Sequence, residues 1–276
     1  MHKDFGSWDD GFPLVMHLID LERVHPAPYR ILQAHPDYNR AKYHEDRAAA
    51  SRLVLYFLSL PENLQQLKYL ERQYAGSIIV SVHAHEAFGK NRIPQILSTY
   101  IGNSIGLEVD NTIVQTNTVN HSRENEWHRF AFRPTFEGTV KAGQSYLLVD
   151  DIYSLGGTFN ELRRFIETNN GKVLQTIALA TGRSGPEIAL SDKTLNALVD
   201  KYGKENLSSF LKENNLYEGN YKALTEPEAR ALRRAASLDQ ARDRILAARQ
   251  EAYSRMGEEK YPFNQKKPVT KKSFHR

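Results

Sequence analysis

The run Leu147-Leu148-Val149-Asp150-Asp151-Ile152-Tyr153-Ser154-Leu155-Gly156-Gly157-Thr158 constrains the fold of this chain more than any other segment. Its leading apolar residues predict a buried strand that ends in two adjacent carboxylates. A tight Ser/Gly/Gly/Thr turn then feeds an amphipathic segment, residues 159–169, that reads as a helix. A loop entering a helix in this way offers backbone N–H groups, hydroxyls and the positive end of a helix dipole, all suited to a phosphate. Gly156 and Gly157 tolerate positive φ and close backbone approach, so several amides can converge on one anion. Asp150 and Asp151 stand one loop away, where they can accept hydrogen bonds from sugar hydroxyls. The pattern predicts a sugar-phosphate site.

The surrounding chain alternates between helical and extended patterns. Residues 44–60 and 62–74 carry helical apolar spacing, with Leu64, Leu67 and Leu70 on one face of the second and Pro61 between them. Residues 78–82 are a short β-branched run, read as a buried strand. A helix over 94–105 follows, with Leu97, Ile101 and Ile105 in one row, Pro94 in its first turn and Gly106 at its exit. Residues 112–115 are the next strand candidate, which would complete a parallel pair with a right-handed crossover. Residues 116–137 are long and polar for a connection, a functional loop or a short hairpin. Strands over 145–149 and 173–180 enclose the helix at 159–169.

Residues 1–40 are rich in Pro, His and Tyr, with a short strand candidate at 14–19. Past residue 181 the pattern turns helical, over 195–202 and 207–214. Thr225-Glu226-Pro227-Glu228 then forms a capping box ahead of one long helix, 226–255. The expected architecture is α/β, a parallel sheet flanked by helices with a mainly helical C-terminal appendage. Its expected parts are an N-terminal helical and irregular segment (1–74), the α/β core (75–182), the appendage (183–257) and a basic, disordered tail (258–276).

Composition narrows the class. With 276 residues, 40% of them hydrophobic and 25% charged, the chain reads as a globular protein with a full core. No apolar run approaches membrane-spanning length, and the absence of cysteine excludes disulfides and thiolate metal sites. A cytoplasmic protein without membrane contact is the simplest expectation. The net charge of +4 owes much to Lys260, Lys266, Lys267, Lys271, Lys272 and Arg276 near the C-terminus. Such a stretch is usually solvated, and it leaves a nucleic-acid or protein partner open.

Residues 149–158 resemble the phosphoribosyl pyrophosphate (PRPP) motif of type I phosphoribosyltransferases, an apolar strand followed by two acids and a Thr-x-Gly-Gly-Thr loop. Asp150, Asp151, Gly156, Gly157 and Thr158 match, and Ser154 replaces a hydroxyl with a hydroxyl. Leu155 departs from the usual small or hydroxylic residue, which removes a hydroxyl contact and keeps the amides. The resemblance covers about residues 75–182. It implies transfer of ribose 5-phosphate between pyrophosphate and a nitrogen base, with Mg²⁺ bound mainly through PRPP. Ser154, Leu155, Gly156, Gly157 and Thr158 would hold the 5-phosphate of PRPP or of a nucleotide, and Asp150 and Asp151 the ribose hydroxyls. By position, His83, Ala84, His85 and Lys90, with Arg92 beyond, would face the pyrophosphate. A basic loop over 117–135 would close on the reacting centre, making Arg123 and Arg129 catalytic candidates beside Asp150 and Asp151. Relatives acting on 6-oxopurines often carry an Asp where Ser154 stands, so no purine is implied.

Other readings compete at several positions. His83 and His85 have the spacing of a metal pair on an extended chain, and equally of ordinary loop histidines. Arg129, Ala131 and Arg133 alternating with Phe130 and Phe132 fit a half-buried strand as well as a mobile loop. Arg230, Arg233, Arg234, Arg242, Arg244 and Arg249 alternate with acids as on the outer face of a packing helix, with a partner surface the second reading. The same motif also serves non-catalytic nucleotide or PRPP sensors and effectors, which act with a protein or nucleic-acid partner. Homo-oligomerisation stays open.

Overall fold

The computed structural model describes residues 12–19, 28–84, 91–117, 126–182 and 184–260. In chain order its strands are β1 (Met16–His17), β2 (Ile78–Ser81), β3 (Glu108–Asp110), β4 (Val114–Gln115), β5 (Phe136–Glu137), β6 (Ser145–Tyr153) and β7 (Lys172–Thr181). The helices are α1 (Pro28–Ala34), α2 (Tyr38–Tyr43), α3 (Arg47–Leu58), α4 (Pro61–Gln73), α5 (Ile93–Ile105), α6 (Glu126–Ala131), α7 (Gly157–Thr168), α8 (Asp192–Tyr202), α9 (Lys204–Glu213), α10 (Glu226–Arg234) and α11 (Leu238–Lys260).

β6 and β7 are buried almost end to end, as a strand covered on both faces must be, and they pair in parallel at the centre of the main sheet. The sheet order is β1-β7-β6-β2-β3, with every pair parallel. Alternate residues of β6 serve opposite faces. Leu147 and Val149 join an apolar cluster with Leu53, Leu70, Leu97 and Ile101 of α3, α4 and α5. Tyr146 and Leu148 join Phe159, Leu162 and Ile166 of α7. A third cluster unites α8–α11 with Trp127, Phe130 and Leu155. The result is a parallel sheet flanked by helices, followed by a helical C-terminal region.

Several expectations are corrected. The strand after α5 is β3, directly past Gly106; the 112–115 segment instead supplies β4, which pairs antiparallel with β5. β6 runs on through both acids to Tyr153, because Asp150, Ile152 and Tyr153 keep their partners Ala178, Ala180 and Thr181 on β7. Only Met16 and His17 of the 14–19 candidate pair as a strand. The single long helix is two. Ala235 turns extended (ψ 142°), and Ser237 and Gln240 start a new helix by bonding Gln240 N (3.1 Å) and Ala236 N (2.9 Å) respectively. Residues 261–276, most of the expected tail, lie outside the described residues.

Candidate functional site at the end of the central strand

Consecutive residues of β6 point to opposite faces of the sheet, so Asp150 and Asp151 meet different surroundings. Asp151 is 3% exposed. Lys42 of α2 donates to its Oδ2, Asn91 Nδ2 donates to the same oxygen at 3.2 Å, and the Ile152 amide donates to Oδ1 at 2.9 Å. Burial, the largest single influence, works to raise the Asp151 pKa, but the charge and hydrogen bond of Lys42, with the bonds to Asp150 and Asn91, together hold the group below the usual carboxylate range. Asp150 is partly exposed and accepts the Asp151 amide at 2.8 Å. Burial, and then the neighbouring Asp151 charge, push its carboxyl well above that range. One acid is engaged by Lys42, and its neighbour is the one whose charged form is disfavoured. This asymmetry between two adjacent aspartates comes from a lysine more than a hundred residues away.

The loop after β6 turns through Gly156, which sits in the left-handed region (φ 79°) and, as the N-cap of α7, offers no side chain to the first-turn amides. Those amides are the groups a phosphate needs. Leu155 is 7% exposed and packs with α8–α11, while its carbonyl accepts the Thr225 hydroxyl. Gly157 lies under a guanidinium. A Cβ there would fall 2.1 Å from Arg133 Nη1 and 3.0 Å from Glu228 Oε1.

Arg133 and Glu228 form an ion pair of 2.7 Å. Glu228 is 1% exposed and also accepts the Tyr217 hydroxyl (2.9 and 2.7 Å to its two oxygens) and the Thr225 amide (3.0 Å), closing the capping box of α10. Arg133 lies over the Tyr217 ring at 4.5 Å. Its Nε and Nη2 are shut from solvent without a hydrogen-bond partner. Glu161 stands 3.9 Å from Nε; burial raises the Glu161 pKa and the Arg133 charge works against that rise.

The remaining expected site residues are more scattered. His83 follows β2, with Nδ1 3.0 Å from both the hydroxyl and the carbonyl oxygen of Ser81, and burial depresses its pKa. Ala84 makes an isolated bridge to Gln115. Arg92, at the start of α5, is 8% exposed with Nε unpartnered and Nη2 3.6 Å from Glu45. His85, Lys90 and Arg123 lie outside the described residues. Arg129 is on α6, so the described part of 129–133 is neither an extended loop nor a strand up to Ala131; it is a helix whose Trp127 and Phe130 pack on the C-terminal helices. Sequence reading missed Lys42, Asn91 and Tyr217, and it saw Thr225 and Glu228 only as a helix cap.

No family model matches the chain. It is 38% identical over 250 residues to protein TraN of Escherichia coli, an alignment covering 91% of this chain and 52% of that protein. It is 34% identical over 160 residues to an uncharacterized protein of Haemophilus influenzae, covering 58% of this chain and 33% of the relative. The chain thus spans about half or less of the curated relatives it matches. Among solved structures, adenine phosphoribosyltransferase from Leishmania donovani aligns at 14% identity and TM-score 0.30, over 46% of this chain and 56% of that one. The enzyme from Thermoanaerobacter pseudethanolicus aligns at 15% identity and TM-score 0.28, over 45% of this chain and 83% of the other. No helix among the described residues is long and apolar enough to cross a membrane.

Proposed function

We propose that this chain binds PRPP or a ribonucleoside 5′-phosphate and transfers ribose 5-phosphate between pyrophosphate and a nitrogen base. The observation that carries this reading is the uncapped first turn of α7, entered through left-handed Gly156 directly after Asp150 and Asp151. In it, the amides from Gly156 to Thr158 hold the 5-phosphate and Asp150 accepts a ribose hydroxyl. Asp151, fixed by Lys42 and Asn91, acts on Asp150 and on the field at the strand end rather than on the sugar. His83 and Arg92 face the departing diphosphate. As that group leaves, C1 of the ribose gains positive character, which the paired acids stabilise without forming a covalent bond.

Among the described residues no three His, Asp or Glu side chains converge on a metal position. With Asp151 engaged by Lys42, the protein's contribution to Mg²⁺ is Asp150. That fits an ion held mainly on diphosphate oxygens and water, which when bound would neutralise the leaving group. The test is calorimetry with PRPP and Mg²⁺, ribose 5-phosphate and nucleoside 5′-monophosphates, followed by pyrophosphate release over a base panel. Binding of at least one phosphorylated sugar, and not of free ribose, is expected; no binding across the set overturns the reading.

Leu155 favours a second reading, a sensor without turnover. Its side chain and carbonyl tie the loop to the C-terminal helices, so occupancy of the loop is mechanically connected to them. Phosphate binding with no pyrophosphate release for any base would select this alternative, with a protein or nucleic-acid partner reading the helices.

A further inference from the structure

Arg133 is in an electrostatically odd place. Its guanidinium lies against Gly157, the first residue of α7, where the helix presents its positive end. A cation there is disfavoured unless an anion stands between. Glu228 supplies one, bonded to a single nitrogen, Nη1. Nε and Nη2 are closed off from water without a hydrogen-bond partner, Glu161 standing 3.9 Å from Nε, and a buried N–H left so is destabilising. A guanidinium with two unpartnered donor nitrogens therefore stands against the first residue of α7, with Glu228 bonded to Nη1 and Glu161 at that distance from Nε.

We propose that Arg133 is the charged partner of the bound phosphate and that Glu228 holds it in waiting, an internal carboxylate at the rim of the anion site. Arrival of a phosphate at the α7 amides turns the unpartnered donors of Arg133 toward it and loosens the Arg133–Glu228 pair. Glu228 also caps α10 and is bonded by Tyr217, so the change is passed to the C-terminal helices. This inference rests on the sugar-phosphate reading of the loop and adds to it the residue that selects a dianion and the contact that responds.

The discriminating property is the sign of two substitutions. In an ion pair that only supports the fold, removing either member weakens the site in the same direction. In a pair that competes with a ligand, the two act oppositely. Ribose 5-phosphate binding to the full chain is measured by calorimetry for the parent, Arg133→Gln and Glu228→Gln, with free ribose as control. Arg133→Gln should weaken binding roughly tenfold or more, the loss of charged hydrogen bonds, while Glu228→Gln should tighten it severalfold. If both variants weaken binding, or neither changes it, while the parent binds, the inference is overturned and the sugar-phosphate reading stands. If neither the parent nor Glu228→Gln binds, the reading falls and takes the inference with it.

Hydrogen exchange on the parent gives an answer that needs no variant to fold. Ribose 5-phosphate should protect the first turn of α7 and speed exchange in the first turn of α10. Protection of α7 with α10 unchanged would overturn the coupling.

Discussion

Two carboxylate–cation pairs meet the segment that leads from β6 into α7, and they are built alike. Asp151 meets Lys42, and Glu228 meets Arg133; both acids are nearly fully buried and both cations come from distant segments. Their surroundings differ. Beside Asp151 stands a second acid, Asp150, which bonds no cation among the described residues, so the strand end keeps acceptor oxygens that the ion pair does not use. Beside Arg133 stand the uncapped amides of α7 and two unpartnered N–H groups, so the helix end carries surplus positive character. The same motif of pairing thus leaves opposite remainders at the two ends of one loop. A molecule with hydroxyls at one end and a phosphate at the other matches that polarity.

The comparison can be broken most forcefully at Lys42. Lys42→Met leaves Asp151 buried without its cation, and loss of one partner from a buried pair costs about 3–5 kcal/mol. Urea unfolding at neutral pH should show a loss of that size. Its pH dependence follows from the direction of the shift. In the parent, Asp151 has a depressed folded pKa, so its contribution is present above the unfolded value of about 3.9 and is lost as pH falls through the folded value. In the variant, burial alone raises that pKa. The deficit should therefore shrink on acidification, and a deficit equal at pH 7 and pH 4 would remove the assigned role of Lys42.

A smaller and two-signed effect is expected at Asp150. Asp150→Asn should weaken ribose phosphates about tenfold, since a hydrogen bond to a charged group is worth about 1.5–3 kcal/mol. The unliganded protein should gain stability instead. A carboxyl with a raised folded pKa stabilises most below its unfolded pKa and loses that contribution as pH climbs through the folded value. Removing it should flatten the fall in stability that begins as pH climbs past the unfolded value of about 3.9. Weaker binding together with lower stability at neutral pH would mean that Asp150 is a packing residue like its neighbour.

The least effect is expected at Thr225, which touches the loop through one hydroxyl. Thr225→Ala removes a helix cap and the bond to the Leu155 carbonyl, a loss of about 0.5–2 kcal/mol. Thermal unfolding should fall by a few degrees while ribose 5-phosphate affinity stays within a few fold. A large affinity loss would show that the loop depends on this brace more than on its own glycines.

The strand, glycine turn and helix of the 147–158 segment were legible because each depends on residues adjacent in sequence. Pro61 at the start of α4 and Gly106 at the exit of α5 were legible for the same reason. The break between α10 and α11 left a trace, Ser237 three residues before Gln240, that a capping rule could have found. Lys42 left none. Nothing local distinguishes a lysine that will reach Asp151 from one that will meet water, and the Arg133–Glu228 contact is hidden in the same way. Leu155 was legible as a departure from the motif, whereas its packing on the C-terminal helices was not.

That leucine bears on whether the loop could stand without the helices that follow it. Its side chain belongs to the apolar cluster of α8–α11, while its backbone lies inside the strand-to-helix junction. Deleting the C-terminal helices would strip Trp127 and Phe130 as well as Leu155, and burial of such side chains is worth about 1.5–3 kcal/mol each. The glycine loop and the C-terminal helices consequently share one apolar cluster and depend on each other for burial. A small hydroxylic residue at this position would remove the apolar tie and leave the loop joined to those helices through the Thr225 bond to its carbonyl.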